Sequence, residues 1–352
     1  MVKKLMFHDA YNGKKVLITG HTGFKGSWLS LYLKLLQAEV VGYALEPNTD
    51  PSLFKILNLE NKVKSIIGNI LDTEKLERVI SDFSPDIIFH LAAQPLVRTS
   101  YKEPVNTYQV NVIGTLNVLE AARKCANVKA FINVTTDKCY ENMEINYQYK
   151  EDDKLGGYDM YSSSKACSEI LSSSYRNSFL KSGFLLATAR AGNIIGGGDW
   201  ALDRLIPDCI RAIRKNIPIM IRNPHSVRPW QFVLEPLCGY LMLGEKLLAE
   251  KSEFAKSYNF GPEKDSILSV NDIIDMLAKY YSYNKKELRS ELHEANLLML
   301  DISRAKNELS WYPKYNIRKT IEETIEWYKN YYNKQDMYEY TVSQIENYVI
   351  GL

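Results

Sequence analysis

The chain has 352 residues, of which 45% are hydrophobic and 24% charged, and its net charge is only +2. That length suits two domains or one large domain with a lobe. The even charge balance argues against a nucleic-acid partner or an acidic tail. No uninterrupted apolar run is long enough to span a bilayer, and residues 1–10 lack the apolar stretch of a signal peptide, so a cytoplasmic protein with no membrane partner is expected. Five cysteines (Cys125, Cys139, Cys167, Cys209 and Cys238) with no C-x-x-C pairing favour neither a disulfide framework nor a zinc site. With five histidines and no H-E-x-x-H pattern, no metal is expected.

In chain order, residues 16–19 read as a buried strand and residues 25–36 as the helix that follows. Between them lies Gly20-His21-Thr22-Gly23-Phe24-Lys25-Gly26, a G-x-x-G-x-x-G turn. Such a turn lets a backbone approach a pyrophosphate closely, and the helix start supplies free N–H groups for an anion. His21 and Lys25 are unusual in that setting; Lys25 either pairs with a phosphate or is solvated. The next strand, residues 39–44, should end near an acid for the adenosine ribose. Glu46 is the only candidate and falls one residue late, which leaves NADP open beside NAD.

Strands at residues 63–67, 86–91 and 128–135 continue the series, with helices at 72–83, 107–123 and 160–179 between or after them, and a later strand at 184–191. Strands alternating with helix-length segments predict an α/β fold with a doubly wound parallel sheet. Asn69 and Ile70 fall where an adenine edge would lie, and Ala92-Ala93-Gln94 where a dinucleotide would be lined. After Asn193 the texture changes to glycine- and proline-rich turns, then to a mostly helical, Tyr- and Lys-rich end, suggesting a smaller helical C-terminal lobe. The expected division is residues 1–195 and about 229–260 for nucleotide binding, with about 196–228 and 261–352 as the substrate lobe.

Tyr161-Ser162-Ser163-Ser164-Lys165 reads Y-x-x-x-K. On a helix the two side chains lie one turn apart on the same face. A cation beside a phenol favours the phenolate, which makes an acid–base device for oxidising an alcohol or reducing a ketone. Paired with the upstream glycine turn, it points to a nicotinamide-dependent enzyme.

These segments resemble the extended branch of the short-chain dehydrogenase/reductase superfamily, with its Rossmann sheet. More narrowly they resemble the sugar-nucleotide 4,6-dehydratases, within that group those acting on CDP-glucose. The likeness runs through residues 20–28, His90-Leu91-Ala92-Ala93-Gln94-Pro95-Leu96-Val97-Arg98, Thr136-Asp137-Lys138-Cys139-Tyr140, Leu155-Gly156-Gly157-Tyr158-Asp159, residues 190–200 and Arg228-Pro229-Trp230-Gln231. It covers most of residues 14 to 330; beyond that the tail carries no readable motif.

The resemblance implies NAD as cofactor, a nucleotide-sugar substrate and loss of water to give a 4-keto-6-deoxy sugar. It implies that Tyr161 takes the C4 hydroxyl proton, that Lys165 holds the phenolate and the nicotinamide ribose, and that Thr135 or, preferably, Thr136 bonds the same sugar oxygen. Asp137 becomes the acid for the C6 hydroxyl, for which it must carry a proton near neutral pH. Lys138 becomes the base at C5 if neutral, or the stabiliser of an enolate if charged. Asn193 would meet the substrate phosphate, Arg228 would clamp the pyrophosphate, and Arg204 and Arg98 would hold the nucleotide sugar. Asn111 is expected to be structural and Trp230 to lie in the core. A homodimer, or a higher homo-oligomer, built from the helices at 107–123 and 160–179 would be typical. A 4-epimerase would share Tyr161, Lys165 and NAD without needing the Asp-Lys pair; a dinucleotide-binding sensor would need neither pair.

Overall fold

The computed structural model describes residues 7–179, 183–288 and 297–350. Its centre is a seven-stranded parallel sheet: β1 (Lys15–Thr19), β2 (Glu39–Ala44), β3 (Lys64–Ile67), β4 (Ile87–His90), β5 (Ala130–Val134), β6 (Leu185–Ala191) and β7 (Ser257–Phe260). The spatial order is β7-β6-β5-β4-β1-β2-β3, and every pairing within it is parallel. The central strands are apolar on both faces because helices cover both. Val16 and Ile18 enter one core cluster while Leu17, pointing the other way, enters a second on the opposite face. All the strands expected from the first half are present, with ends shifted by a residue or two.

Strand order reverses where β1 sits between β2 and β4, and that switch point opens a crevice at the strands' carboxyl ends. Helix α1 (Phe24–Leu35) starts there, directly after the glycine turn. Helix α2 (Thr73–Phe83) is capped by the Asp72 side chain accepting from Lys75 N. The helix expected at 107–123 is present, starting earlier and widened in its middle. It comprises α3 (Pro104–Tyr108), a wide π-type turn (Gln109–Gly114) and α4 (Thr115–Arg123). The wide turn contains Asn111, whose side chain accepts from Gln94 N (2.8 Å) and donates to Gln94 O (3.1 Å) and Ser164 Oγ (2.9 Å). Asn111 thus ties the β4 loop to α5 (Met160–Phe179), in the structural role expected of it.

The rest of the chain builds a lobe from α6 (Leu205–Arg214) and short strand pairs. One joins Val227–Pro229 with Ile267–Ser269, and another joins Ile219–Ile221 with Lys285–Glu287. Before the last sheet strand, α7 (Leu234–Leu248) returns to pack on β5 and β6. The chain closes with α8 (Ile317–Tyr332) and α9 (Met337–Ile350) packed on each other. Trp230 is buried, with its indole N–H donating to Leu268 O at 2.9 Å, and Trp200 is buried against Trp327, Tyr328 and Tyr331. No helix among the described residues is long and apolar enough to cross a membrane.

Candidate active site

The glycine turn is built by close backbone packing. Gly20 has φ +79°, and a Cβ there would come within 2.8 Å of Ala92 N. A Cβ on Gly26 would meet Gly20 O at 2.1 Å. A Cβ on Gly23, in contrast, would meet nothing nearer than 3.4 Å. The face at Gly23 and the first N–H groups of α1, which no capping side chain occupies, is therefore open to a phosphate. These residues fit a dinucleotide.

His21 does something that its place in the turn did not suggest. Its ring is fully buried, stands edge-on to Phe54, and meets Ser65 Oγ through Nε2 at 2.7 Å. It occupies the space beside Gly42, where a Cβ would fall 2.1 Å from the ring. The imidazole therefore staples the turn to β2 and β3, and burial pulls its pKa down to about 4. Asn69 is exposed; its side chain accepts from Leu71 N at 3.0 Å and its carbonyl from the Tyr43 hydroxyl at 2.9 Å. Ile70 is buried, and a Cβ on Gly114 would overlap it. Ala92 N donates to Thr19 Oγ1 at 3.2 Å. Gln94 spends its side chain on its own loop, donating to Thr107 Oγ1 at 2.9 Å and accepting from Leu96 N at 2.7 Å. Glu46 lies exposed two residues beyond the end of β2.

Beside this turn a cleft of about 370 Å³ gathers most of the remaining candidates. Phe24, Lys25, Ala93, Thr136, Asp137, Lys138, Tyr161 and Lys165 line it, together with Asn193 and the three expected arginines, Arg98, Arg204 and Arg228. Gly20, His21, Gly23, Gly26, Asn69, Ile70, Ala92 and Gln94 do not.

Tyr161 stands in the first turn of α5, its N–H donating to Ser100 Oγ at 3.1 Å. Burial pushes the phenol up to about 12, opposed by a hydrogen bond with Thr136 and the charge of Arg204. The Thr136 hydroxyl donates to Asp137 Oδ1 at 2.9 Å, and it can turn to donate to the Tyr161 phenolate, which is how its bond lowers the phenol's pKa. The hydroxyl of Thr135 faces the other way, donating to the Glu169 carboxylate. Thr136 is thus the hydroxyl joined to the tyrosine.

Lys165 donates from Nζ to Val134 O at 3.3 Å, and burial draws its pKa down to about 8. Lys25 extends from α1 into the same cleft, its ammonium 6.0 Å from the Tyr240 ring centroid. Burial, then the charges of Lys165 and Arg204, draw it down to about 7 against the pull of Asp137. The sequence placed Lys25 only in the phosphate turn; as the second residue of α1 it sends its side chain into the catalytic end.

Asp137 is buried, and burial raises its pKa against the opposing effects of Lys138, Thr136 and Arg228. Its Oδ2 is buried with no hydrogen-bond partner among the described residues. Gly192 leaves that oxygen room, since a Cβ there would lie 3.1 Å from it and 2.7 Å from Pro229 Cγ. Arg228 is buried and donates to Val227 O at 2.9 Å. Arg204 lies 3.8 Å from Asp199, and Arg98 lies 3.6 Å from Asp203, which Arg222 also pairs. Asn193 accepts through its main-chain oxygen from Gln231 N at 3.0 Å.

Two features were missed. Asp203 and Arg222 carry no sequence signal, because only folding brings residues 98, 203 and 222 together. Glu169 did carry one: it sits four residues after Lys165, on the same helix face.

The sheet order, the turn at its switch point and the Y-x-x-x-K helix facing it define a Rossmann protein of the short-chain dehydrogenase/reductase class. Within that class, the family model described as GDP-mannose 4,6 dehydratase matches residues 17–324, and the chain belongs to that family of sugar-nucleotide dehydratases, which are hydro-lyases. It is 45% identical to the CDP-glucose 4,6-dehydratase of Salmonella typhimurium, covering 96% of this chain and 97% of that one. A dTDP-D-glucose 4,6-dehydratase of Dictyostelium discoideum is 30% identical over 71% of this chain and 58% of its own length. Among solved structures, the UDP-glucuronic acid 4-epimerase of Bacillus cereus superposes with a TM-score of 0.78 at 25% identity, covering 90% of this chain and 99% of that one.

Proposed function

We propose that this enzyme converts CDP-glucose to CDP-4-keto-6-deoxyglucose. The observation that carries the reading is the buried Oδ2 of Asp137, without a hydrogen-bond partner among the described residues and one hydroxyl away from the Tyr161 phenol. Burial raises the pKa of this carboxyl and so favours its holding the proton that a leaving hydroxyl needs; a 4-epimerase has no such step. The choice of cytidine rests on likeness to the Salmonella enzyme.

The glycine turn and the open helix start would hold NAD, which would supply the hydride acceptor and donor for C4 and C6. Tyr161 takes the C4 hydroxyl proton, with Thr136 bonding the same oxygen and Lys165 favouring the phenolate. The C4 ketone then acidifies the C5 hydrogen. Lys138 removes that hydrogen, or stabilises the enolate if it stays charged, while Asp137 protonates the departing C6 hydroxyl. Arg228, Arg204, Arg98 and Asn193 would bind the diphosphate and sugar, where guanidinium offers paired donors. In this reading residues 1–195 and about 229–260 bind the cofactor and the remaining lobe binds substrate. Five free thiols suit the reducing cytoplasm.

The test is a panel of CDP-, dTDP-, GDP- and UDP-sugars incubated with NAD and followed by mass spectrometry. CDP-glucose should lose one water. An isomer of unchanged mass would make the protein an epimerase.

We further propose a homodimer through α3 to α5. Val105, Ile113, Ile170 and Phe179 are exposed large apolar side chains on these segments, and such a surface favours covering. Light scattering should give twice the mass of 40.5 kDa. Ile113→Asp with Ile170→Asp should give the monomer mass; a monomeric wild type would overturn the assignment.

A further inference from the structure

Behind the cleft lies a buried ion pair that the proposed reaction does not use. Glu169 and Arg190 have side chains only 1% and 3% exposed and meet at 2.7 Å. Thr188 donates to the same carboxylate oxygen at 2.8 Å, and Thr135 donates to the other. Arg190 in turn donates to the Tyr140 hydroxyl at 2.7 Å and to Glu151 O at 2.9 Å. A buried ion pair is weak evidence of stabilisation, since apolar residues of similar volume often serve as well. Its position suggests another use. Glu169 stands one helical turn beyond Lys165, and through Thr135 it grips the residue beside Thr136.

We propose that Glu169 is a positioning residue for the reaction, holding the Thr135–Asp137 segment in place and keeping Lys165 charged beside Tyr161. The inference rests on the role of Lys165 given above. Tyr161 lies one turn before that lysine on the same helix, and the groups that act on it or feel its charge come from several elements: Glu169 on its own helix, Cys139 after β5, Lys25 on α1 and His90 at the end of β4. Burial works against its charge, and of the facing groups Glu169 gives the largest support. Glu169 can give it because it is ionised: burial works against that too, but Arg190, Thr135 and Thr188 outweigh it.

Glu169→Gln keeps the shape and removes the charge. Labelling of the purified protein with acetic anhydride, read peptide by peptide in the mass spectrometer, reports the neutral fraction of each lysine against pH. In the wild type Lys165 should titrate at about 8. In the variant its midpoint should fall by about one unit, a tenfold change in ionisation, while Lys25, relieved of part of the Lys165 charge, should move up rather than down. Turnover of CDP-glucose at saturating NAD should show a defect that grows with pH, from near wild-type rate at about pH 6 to about tenfold at about pH 9. The double variant E169M/R190M removes both charges, leaves no unpaired ion to unfold the core, and should show the same shift. An unmoved Lys165 midpoint in either variant, or a defect equal at every pH, would reduce Glu169 to a packing residue and overturn the inference. If the wild type makes no keto product from CDP-glucose, the substrate reading fails, and the labelling result still decides the role of Glu169.

Discussion

At the scale of single residues, chemistry near the cleft depends on which side chains are denied water. Tyr161, Lys165 and Asp137 were legible because their types and spacing carry chemistry: a phenol one turn from an ammonium, and a carboxylate after a strand. What the sequence could not give is their protonation, which follows from burial. Lys25 and His21 show the same limit. Both stand in one turn, yet one reaches the cleft and the other locks into the sheet, because a helix start and a strand end point their side chains in different directions. Asp137 offers the sharpest prediction at this scale. Asn at position 137 fits the same space and still accepts from Thr136, but it has no proton for the C6 hydroxyl. Losing a general acid costs roughly 10²–10⁴-fold. Product formation by Asp137→Asn should fall by about that factor while the first hydride transfer stays within about tenfold. Stopped-flow absorbance should then show reduced nicotinamide persisting after CDP-glucose is added. Failure before any reduced cofactor appears would place Asp137 earlier in the sequence.

At the scale of elements, the sheet was legible because its strands are apolar runs bounded by turns, each buried by local helices. The π-type widening at Gln109–Gly114 was not, since the apolar pattern is continuous through it and the Asn111 bonds to Gln94 and Ser164 that accompany it join distant residues. The two- and three-residue strands of the lobe were also invisible. Each exists only by pairing with a distant partner, as Val227–Pro229 does with Ile267–Ser269. The C-terminal helices carry no motif, yet they support the cleft. Trp200 is wedged among Trp327, Tyr328 and Tyr331, and the Tyr328 hydroxyl donates to Asp199 O. Asp199 is the carboxylate beside Arg204. A Cβ on Gly197 would fall 2.0 Å from the Trp327 ring, so Gly197→Ala must push helix and loop apart. Overpacking of this kind costs about 1–3 kcal/mol. The variant should melt earlier, and its KM for the nucleotide sugar should rise several-fold as Arg204 shifts, with kcat changed less. An unchanged melting point and KM would show that the loop is not held by α8.

At the scale of the whole molecule, the sheet is joined across its switch point by two buried imidazoles. His21 ties the glycine turn to β3 through Ser65. His90, at the end of β4, meets Thr19 of β1 through Nδ1 at 2.7 Å and Thr115 of α4 through Nε2 at 3.0 Å. Thr115 already donates to Asn111 O, so it accepts from Nε2–H, and Nδ1 of the neutral ring accepts from Thr19. A second proton on the ring would break that arrangement. Burial accordingly holds His21 at about 4 and His90 at about 3, both below the 6.5 of a free imidazole. Between these values and 6.5 the unfolded chain binds more protons than the folded one. The stability from keeping both rings neutral is therefore complete above pH 6.5 and is lost as pH falls through that window. Each ring costs about 1.4 kcal/mol per pH unit there, or about 2 kcal/mol at about pH 5. The buried carboxyls of Glu151 and Glu235 act in the opposite sense, because burial raises their pKa values and the folded state takes up their protons first. The imidazole contribution is therefore read as a difference between proteins. Between about pH 7.5 and pH 5, the wild type should lose about 2 kcal/mol more stability than His90→Asn, measured by urea unfolding at each pH. Equal losses in the two proteins would mean that His90 stays accessible to protons in the folded sheet.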